Sequence, residues 1–343
     1  MAEKRSSQHP TIKMVAEEAG VSVGSVSNFL NHSARLRAAT SKKIEEAIQT
    51  LDYSPDYVAG SLRRKKSKNI MVLSPNMNNT FHTKTLSTYT DIAVKHGYYI
   101  QTYGYEYSAA RERSALKRAR NSKSCLVVVF NGCDDEEEIS RLVASGIPVI
   151  LADRLSDELK VNMVAFDNDK VFDSILPLVK KKGYDRLGVF FEPVTIINLF
   201  RRYEGIKRAA KKAGVKCGEK ELFCDKTLRL DNLRNGYLYM RSILGKNSYE
   251  SLPKCWICSS DNLAIGALKA IREKKYRVPE DFSIIGFDNI AVSSFVNPQL
   301  TTVDQDQKLL GEKLWEMTEI TLSGNIAGNK IIIPQKLVLR ESF

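Results

Sequence analysis

From Asn69 onward the chain alternates short apolar runs with amphipathic stretches, and this alternation constrains the fold more than any other feature. The runs are IMVLSP (70–75), YYIQTYGY (98–105), CLVVVF (125–130), IPVILAD (147–153), RLGVFF (186–191), CWICSS (255–260) and FSIIGFD (282–288). Buried strands alternating with helices indicate parallel sheets covered on both faces. The number of such units exceeds one sheet, which predicts an α/β core of two Rossmann-like subdomains with a ligand cleft between them. Ligands of such sheets bind at the carboxyl ends of the strands. The 343 residues suit two or three domains. Six cysteines are too few for a disulfide scaffold, and in a cytoplasmic chain they stay reduced. The first twenty residues lack an apolar h-region, and no uncharged run approaches the length of a membrane span. A cytoplasmic protein, neither secreted by a standard signal nor membrane-spanning, is expected.

The segment before Asn69 reads differently. Ile12, Val15, Ala16 and Ala19 form one face of a helix with Thr11 as N-cap, and Gly20 ends it in a left-handed turn. Ser22 caps a second helix, with Val21 and Val26 spaced as a hydrophobic staple. Thr40 is expected to cap a third, whose stripe is Ile44, Ala47, Ile48 and Leu51. This is a helix-turn-helix arrangement, in which the second helix enters the major groove by its N-terminal end. With Val26 and Leu30 turned inward, Val23, Gly24, Ser25, Ser27 and Asn28 would face DNA, with Ser22 beside them. Serines there can reach phosphates or base edges, and an asparagine can pair with adenine. A three-helix interaction module would use the same apolar pattern, so periodicity alone leaves both readings open.

Charge admits a polyanion partner or a merely lysine-rich composition, and a basic run taken alone is more often a solvated linker. The net charge is +12, and residues 1–70 hold 12 basic and 7 acidic residues, a net of +5. The other 273 residues carry only +7, so positive charge per residue is nearly three times denser at the N-terminus. Five of the six positions from Arg63 to Lys68 are basic, a run able to displace counterions from a polyanion.

TIKMVAEEAGVSVGSVSNFLN (11–31) and LDYSPDYVAGSL (51–62), with the spacing between them, resemble the lactose/galactose repressor (LacI/GalR) family. Thr11, Val15, Ala16, Ala19, Gly20, Val21, Ser22, Val26, Ser27, Leu30 and Asn31 fall on its pattern, as do Thr40, Ala47, Leu51, Tyr53, Pro55, Ala59 and Leu62. The resemblance adds Thr11, Asn31 and Tyr53 to the DNA-facing set. It also implies a hinge helix over about 56–63 whose Leu62 wedges into the minor groove, flanked by phosphate-binding Arg63 and Arg64. Unstacking a base step costs a few kcal/mol, offset by contacts that the bent duplex allows. Met14, Asn28, Asp56 and Gly60 depart from the family's acid, arginine, asparagine and arginine, which implies an altered operator or weaker non-specific affinity.

The likeness continues more loosely to about residue 340, through IPVILADR (147–154), VAFDN (164–168), RRYEGI (201–206), SSDNLAIGAL (259–268) and VPEDFSIIGFDN (278–289). It implies a periplasmic-binding-protein-like core behind an all-α headpiece, with boundaries at 1–55 for the headpiece, 56–68 for the hinge and 69–343 for the core. The first subdomain would hold about 69–167 and 300–328, and the second about 168–299 and 329–343, with crossings near Asp167, Pro298 and Gly328. By the same likeness Arg202 and Asp288 bind an effector, with Asp153, Ser260 and Phe81 as further candidates. A guanidinium fork suits hydroxyl pairs, carboxylates or phosphates, and an acceptor-only carboxylate suits sugar hydroxyls.

Catalytic and metal readings fare poorly. GVSVG (20–24) fits a nucleophile elbow in letters only, because a helix precedes it and no histidine follows His96. Cys255 and Cys258 lie in a strand that turns them to opposite faces, and His9, His32, His82 and His96 are scattered. No phosphate-cradling glycine loop is present. The expectation is therefore a non-enzymatic transcriptional regulator, most simply a repressor, without metal or cofactor. It would bind a pseudo-palindromic double-stranded operator as a homodimer and answer to a small effector, a sugar or a derivative. A free-standing sugar-binding protein is the alternative.

Overall fold

The computed structural model describes residues 10–30, 36–53, 67–132, 136–192, 196–224, 233–326 and 328–343. Asn31, Leu62, Arg63, Arg64 and the expected hinge helix, with Asp56 and Gly60, lie outside these residues. The chain forms two compact units, one ending at Ser67 and one beginning at Lys68.

In the N-terminal unit, α1 (Ile12–Ala19) begins at Thr11, whose hydroxyl accepts from the Met14 N–H. It ends at Gly20 with φ 62° and ψ 38°, a left-handed conformation that glycine adopts without a Cβ penalty. α2 (Val23–Leu30) starts one turn later, and the Ser22 hydroxyl accepts from the Ser25 N–H at 3.1 Å, the expected cap. α3 (Ala38–Thr50) differs from expectation at its start. Arg37 occupies the cap position without a side-chain bond, and Thr40 lies in the first turn with its N–H on the Arg37 carbonyl. Leu36 already packs against the core, and the two alanines that follow favour helix, so the helix begins ahead of the threonine. Val15, Ala16, Ala19, Val26, Ile44 and Ala47 form the buried centre of the three helices.

The C-terminal unit holds two six-stranded sheets. In chain order its elements begin β1 (Asn69–Ser74), α4 (Thr80–Lys95), β2 (Tyr99–Gly104), α5 (Ala109–Arg120), β3 (Leu126–Phe130), α6 (Glu136–Ala144), β4 (Val149–Ala152) and β5 (Asn162–Phe166). Next come α7 (Phe172–Lys181), β6 (Leu187–Phe191), α8 (Ile197–Ala213), β7 (Leu222–Cys224), α9 (Leu233–Lys246), β8 (Cys255–Cys258), α10 (Asp261–Glu273) and β9 (Ser283–Asp288). β10 (Thr301–Asp304), α11 (Gln307–Leu322), β11 (Lys330–Ile333) and β12 (Lys336–Val338) complete the chain. The first sheet is ordered β11-β5-β4-β3-β1-β2 and is parallel throughout. The second is ordered β12-β10-β9-β8-β6-β7, parallel except for β12.

Alternate residues of each strand feed opposite faces. Val128 and Phe130 pack on one face of the first sheet with Tyr89 and Trp315, while Val127 and Val129 pack on the other with Leu116 and Ile139. Burial on both faces is why these strands read as unbroken apolar runs. Cys255 and Cys258 likewise enter opposite faces of the second sheet, so the C-x-x-C spacing is a strand and not a chelate. The Glu136, Glu137 and Glu138 run opens α6, as acids suit a helix N-terminus.

Two of the three expected crossings move. The chain passes between sheets at Asp167, but next at Gln305–Asp306 rather than near Pro298, and last at Pro334–Gln335 rather than near Gly328. Residues 301–304 thus belong to the second sheet and 330–333 to the first. β10 begins with two buried threonines, and Thr302 donates its hydroxyl to Asp261 at 2.5 Å, so the strand lacks the apolar signature. β11 is the partly exposed edge of its sheet and reads as a solvated stretch.

Candidate functional site

On the N-terminal unit, Thr11, Ser22 and Gly24 are exposed, and Ser25, Ser27 and Asn28 are half-buried. The Ser22 and Ser25 hydroxyls pair at 3.0 Å, so the two candidates form one small polar cluster at the start of α2. Val23 departs from the expectation that it faces outward. It shares the stripe of Val26 and Leu30 at i, i+3 and i+7 and packs against the core. Tyr53 also packs there, with its N–H on the Ile48 carbonyl.

The C-terminal unit holds a cleft between its two sheets whose lining includes all five effector candidates: Phe81, Asp153, Arg202, Ser260 and Asp288. The space amounts to about 480 Å³ with its open mouth included. The walls come from strand ends. Asn131 follows β3, Asp153 follows β4, Glu192 follows β6, Ser259 follows β8 and Asp288 ends β9. Asp153 and Asp288 both have positive φ, 49° and 109°, which side-chain-bearing residues adopt at a cost of order 1 kcal/mol or more. Non-glycine strain of this kind concentrates at functional sites.

Arg202 projects from α8 and is 5% exposed. Its Nε donates to Asn168 Oδ1 (2.8 Å), Nη1 to the Ser259 carbonyl (2.9 Å) and Nη2 to Gln305 Oε1 (3.3 Å). Its guanidinium stacks over the Phe287 ring at 3.7 Å. Burial draws it below the usual arginine range, while Asp288, Asp153 and Glu192 pull the other way. Gln305 is a junction: it also donates to Asp288 Oδ1 (2.7 Å) and accepts from Gln335 Nε2 (3.1 Å). Asn168 adjoins the first crossing, Gln305 lies on the second and Gln335 on the third. One network therefore joins Arg202 to every crossing between the sheets.

On the other wall, the Asp153 carboxyl accepts from Asn131 Nδ2 at 3.2 Å, and the Asp153 carbonyl accepts from Asn198 Nδ2 at 2.7 Å, a bond across the cleft. Burial pushes the Asp153 carboxyl up to about 7, against the opposing pull of Arg202 and Asn198. His82 is pushed down to about 3 by burial and so is neutral; its Nε2 lies 3.4 Å from the Tyr107 hydroxyl. Glu192 accepts from the hydroxyls of Ser259 and Ser260. His82, Asn131, Glu192, Asn198 and Gln305 were not anticipated. Asn131 and Glu192 are each the first residue past an apolar run, so the strand-end rule already pointed to them.

Residues 11–56 match the family described as bacterial regulatory proteins, lacI family, and residues 178–343 match the periplasmic binding protein-like domain. The regulator RegA of Clostridium saccharobutylicum is 29% identical over 97% of this chain and 98% of its own length. Catabolite control protein A of Priestia megaterium is 26% identical over 97% and 98%. Among solved structures, the lac repressor dimer bound to operator and an anti-inducer superposes with a TM-score of 0.85 at 22% identity, over 98% of this chain and 99% of that one.

Residues 11–56 are a lacI-family DNA-binding region.

The chain is a transcriptional regulator, with that family's helix-turn-helix unit at its N-terminus and the two-sheet core following in sequence. Among the described residues, no helix is long and apolar enough to cross a membrane.

Proposed function

We propose that this chain binds a pseudo-palindromic operator as a homodimer through the start of α2. A small hydroxyl-bearing effector, held in the cleft, would set its affinity for that operator. The observation that carries the reading is the Arg202 network. A ligand that competes for the guanidinium or for Asp288 exchanges bonds with Asn168 and Gln305, which sit on the crossings. The two lobes then differ in relative orientation between free and bound states. Operator affinity moves by the difference in effector affinity between those states. Thr11, Ser22, Gly24, Ser25, Ser27 and Asn28 would form the DNA-facing surface, and Phe81, Asp153, Arg202, Ser260 and Asp288 the effector contacts. Glu192 and Asn131 join the latter set. The lac repressor structure contains operator and anti-inducer, and the related CelR structure contains cellobiose, which supports a saccharide frame for the effector.

The test is operator binding by fluorescence anisotropy across a sugar panel. Full-length protein should retard a specific duplex, and one panel member should change its affinity. Arg202→Ala should keep operator binding and lose that response, with tryptophan fluorescence checking the fold. A variant that responds as fully as the parent would remove Arg202 from the site. A core fragment that still binds DNA specifically would overturn the assignment of DNA contact to α2.

A further inference from the structure

Among the described residues, the cleft sets three carboxyl groups against one guanidinium. Asp153, Glu192 and Asp288 line it against Arg202. The guanidinium donates to two uncharged side chains and a carbonyl, and feels Asp288, Asp153 and Glu192 through their charge. Three further atoms on the wall of the first sheet are buried without a hydrogen-bond partner: Asp153 Oδ1, Asn131 Oδ1 and His82 Nδ1. All three residues line the cleft. The His82 ring meets Phe130 edge-on at 5.6 Å, Asn131 follows Phe130, and Asn131 bonds Asp153 at 3.2 Å. Asn131 Oδ1 only accepts, and Asp153 Oδ1 does so once its carboxyl is ionised. The third accepts when the His82 proton lies on Nε2, where it donates toward the Tyr107 hydroxyl.

Three unpartnered acceptors, one of them a carboxylate oxygen, match the three N–H donors of an ammonium group. We infer that the effector carries a protonated amine on a hydroxylated frame, as in an amino sugar, and that the amine docks against Asp153, Asn131 and His82. This inference rests on the effector reading above and narrows it from saccharides in general. Leaving a buried polar atom unsatisfied is costly, so these three favour a ligand that completes them. A charge-assisted bond is about twice as strong as a neutral one, so the amine gains over a hydroxyl at the same position. His82, neutral through burial, adds no opposing charge. A phosphorylated sugar would place an anion among three carboxylates.

The probes are glucosamine, galactosamine and mannosamine, each against its parent hexose and that hexose's 6-phosphate, by calorimetry and thermal shift on the full-length protein. At least one amino sugar should bind about tenfold more tightly than its parent hexose, equivalent to about 1.4 kcal/mol, and the phosphates should bind weakest. Asp153→Asn should bring the amine-to-hexose ratio toward one. The titratable groups sharing the cleft with Asp153 are Arg202, Glu192, Asp288, His82 and Tyr107. Because Asp153 ionises near 7, amine affinity should rise from pH 6 to 7.5, whereas a neutral sugar bonded to the protonated acid would weaken. Equal or tighter binding of a parent hexose or a phosphate overturns the amine preference and leaves the effector reading standing. No binding by any probe overturns both.

Discussion

Asp153→Asn should flatten the pH dependence of the core's stability. The Asp153 carboxyl is fully enclosed and held at about 7 in the fold, against an ordinary 3.8. Asp261 is likewise held at about 7 by burial, opposed by its bonds to Ser293, Thr302 and the Ile290 N–H. A carboxyl raised on folding contributes stability that is full below the unfolded value and is lost as pH rises through the folded one. From pH 6 to pH 8 each such group therefore removes about 1.4 kcal/mol, about 2.7 kcal/mol for the pair. Asparagine copies the shape of the protonated acid, so the variant should match the parent near pH 6. It should lose only the Asp261 share, about 1.4 kcal/mol, by pH 8. Arg202 keeps Glu192 and Asp288 as counter-charges in the variant. Urea unfolding followed by tryptophan fluorescence isolates the effect, because both tryptophans, Trp256 and Trp315, lie in the C-terminal unit. Parallel pH curves for parent and variant would show Asp153 ionised throughout and refute the burial argument.

Two glycines give opposite expectations. Gly24 is helical and exposed, and a Cβ there meets only Ser22 Oγ at 3.6 Å, so Gly24→Ala should stabilise the N-terminal unit by about 1 kcal/mol in far-UV dichroism melts. A loss of stability would mean that α2 needs the glycine. Gly266 lies where α10 meets α9, and a Cβ there would stand 2.2 Å from the Leu233 carbonyl oxygen and 2.6 Å from the Tyr237 nitrogen. Gly266→Ala should destabilise the core by about 3 kcal/mol in urea unfolding, since backbone must shift to admit it; a change below about 1 kcal/mol would show that the helix pair moves apart freely.

The sequence disclosed those elements whose burial is one-sided in a helix or complete in a strand. CLVVVF and FSIIGFD stand out because both faces of the sheets are covered, and α1 and α2 stand out because their stripes and caps are local. β10 and β11 escaped for opposite reasons. The first hides its hydroxyls in bonds such as Thr302 to Asp261, and the second is an edge open to water. Since the crossings are defined by which sheet takes these two strands, misreading them displaced both boundaries. Val23 was misplaced because a single valine at the first turn of α2 belongs equally to its outward surface and to the i, i+3, i+7 stripe, and only the position of the third helix decides.

The cleft shows where local reading ends. Arg202, Asp288, Asp153, Ser260 and Phe81 came from family likeness, and each of them lines the cavity. What the likeness did not supply is the company they keep. Gln305 looks like a surface residue after a polar strand, yet it is 1% exposed and links Arg202, Asp288 and Gln335. Its role arises from three chain crossings meeting at one point, a property of topology that no window of residues contains. The same holds for the Asp153 carboxyl. Its sequence neighbourhood, ILADRL, gives no reason for it to ionise near 7. Enclosure between two lobes drawn from distant parts of the chain provides that reason. Chemistry that depends on enclosure responds to any motion that opens the lobes, so the ionisation of Asp153 should report the conformational change through which an effector acts.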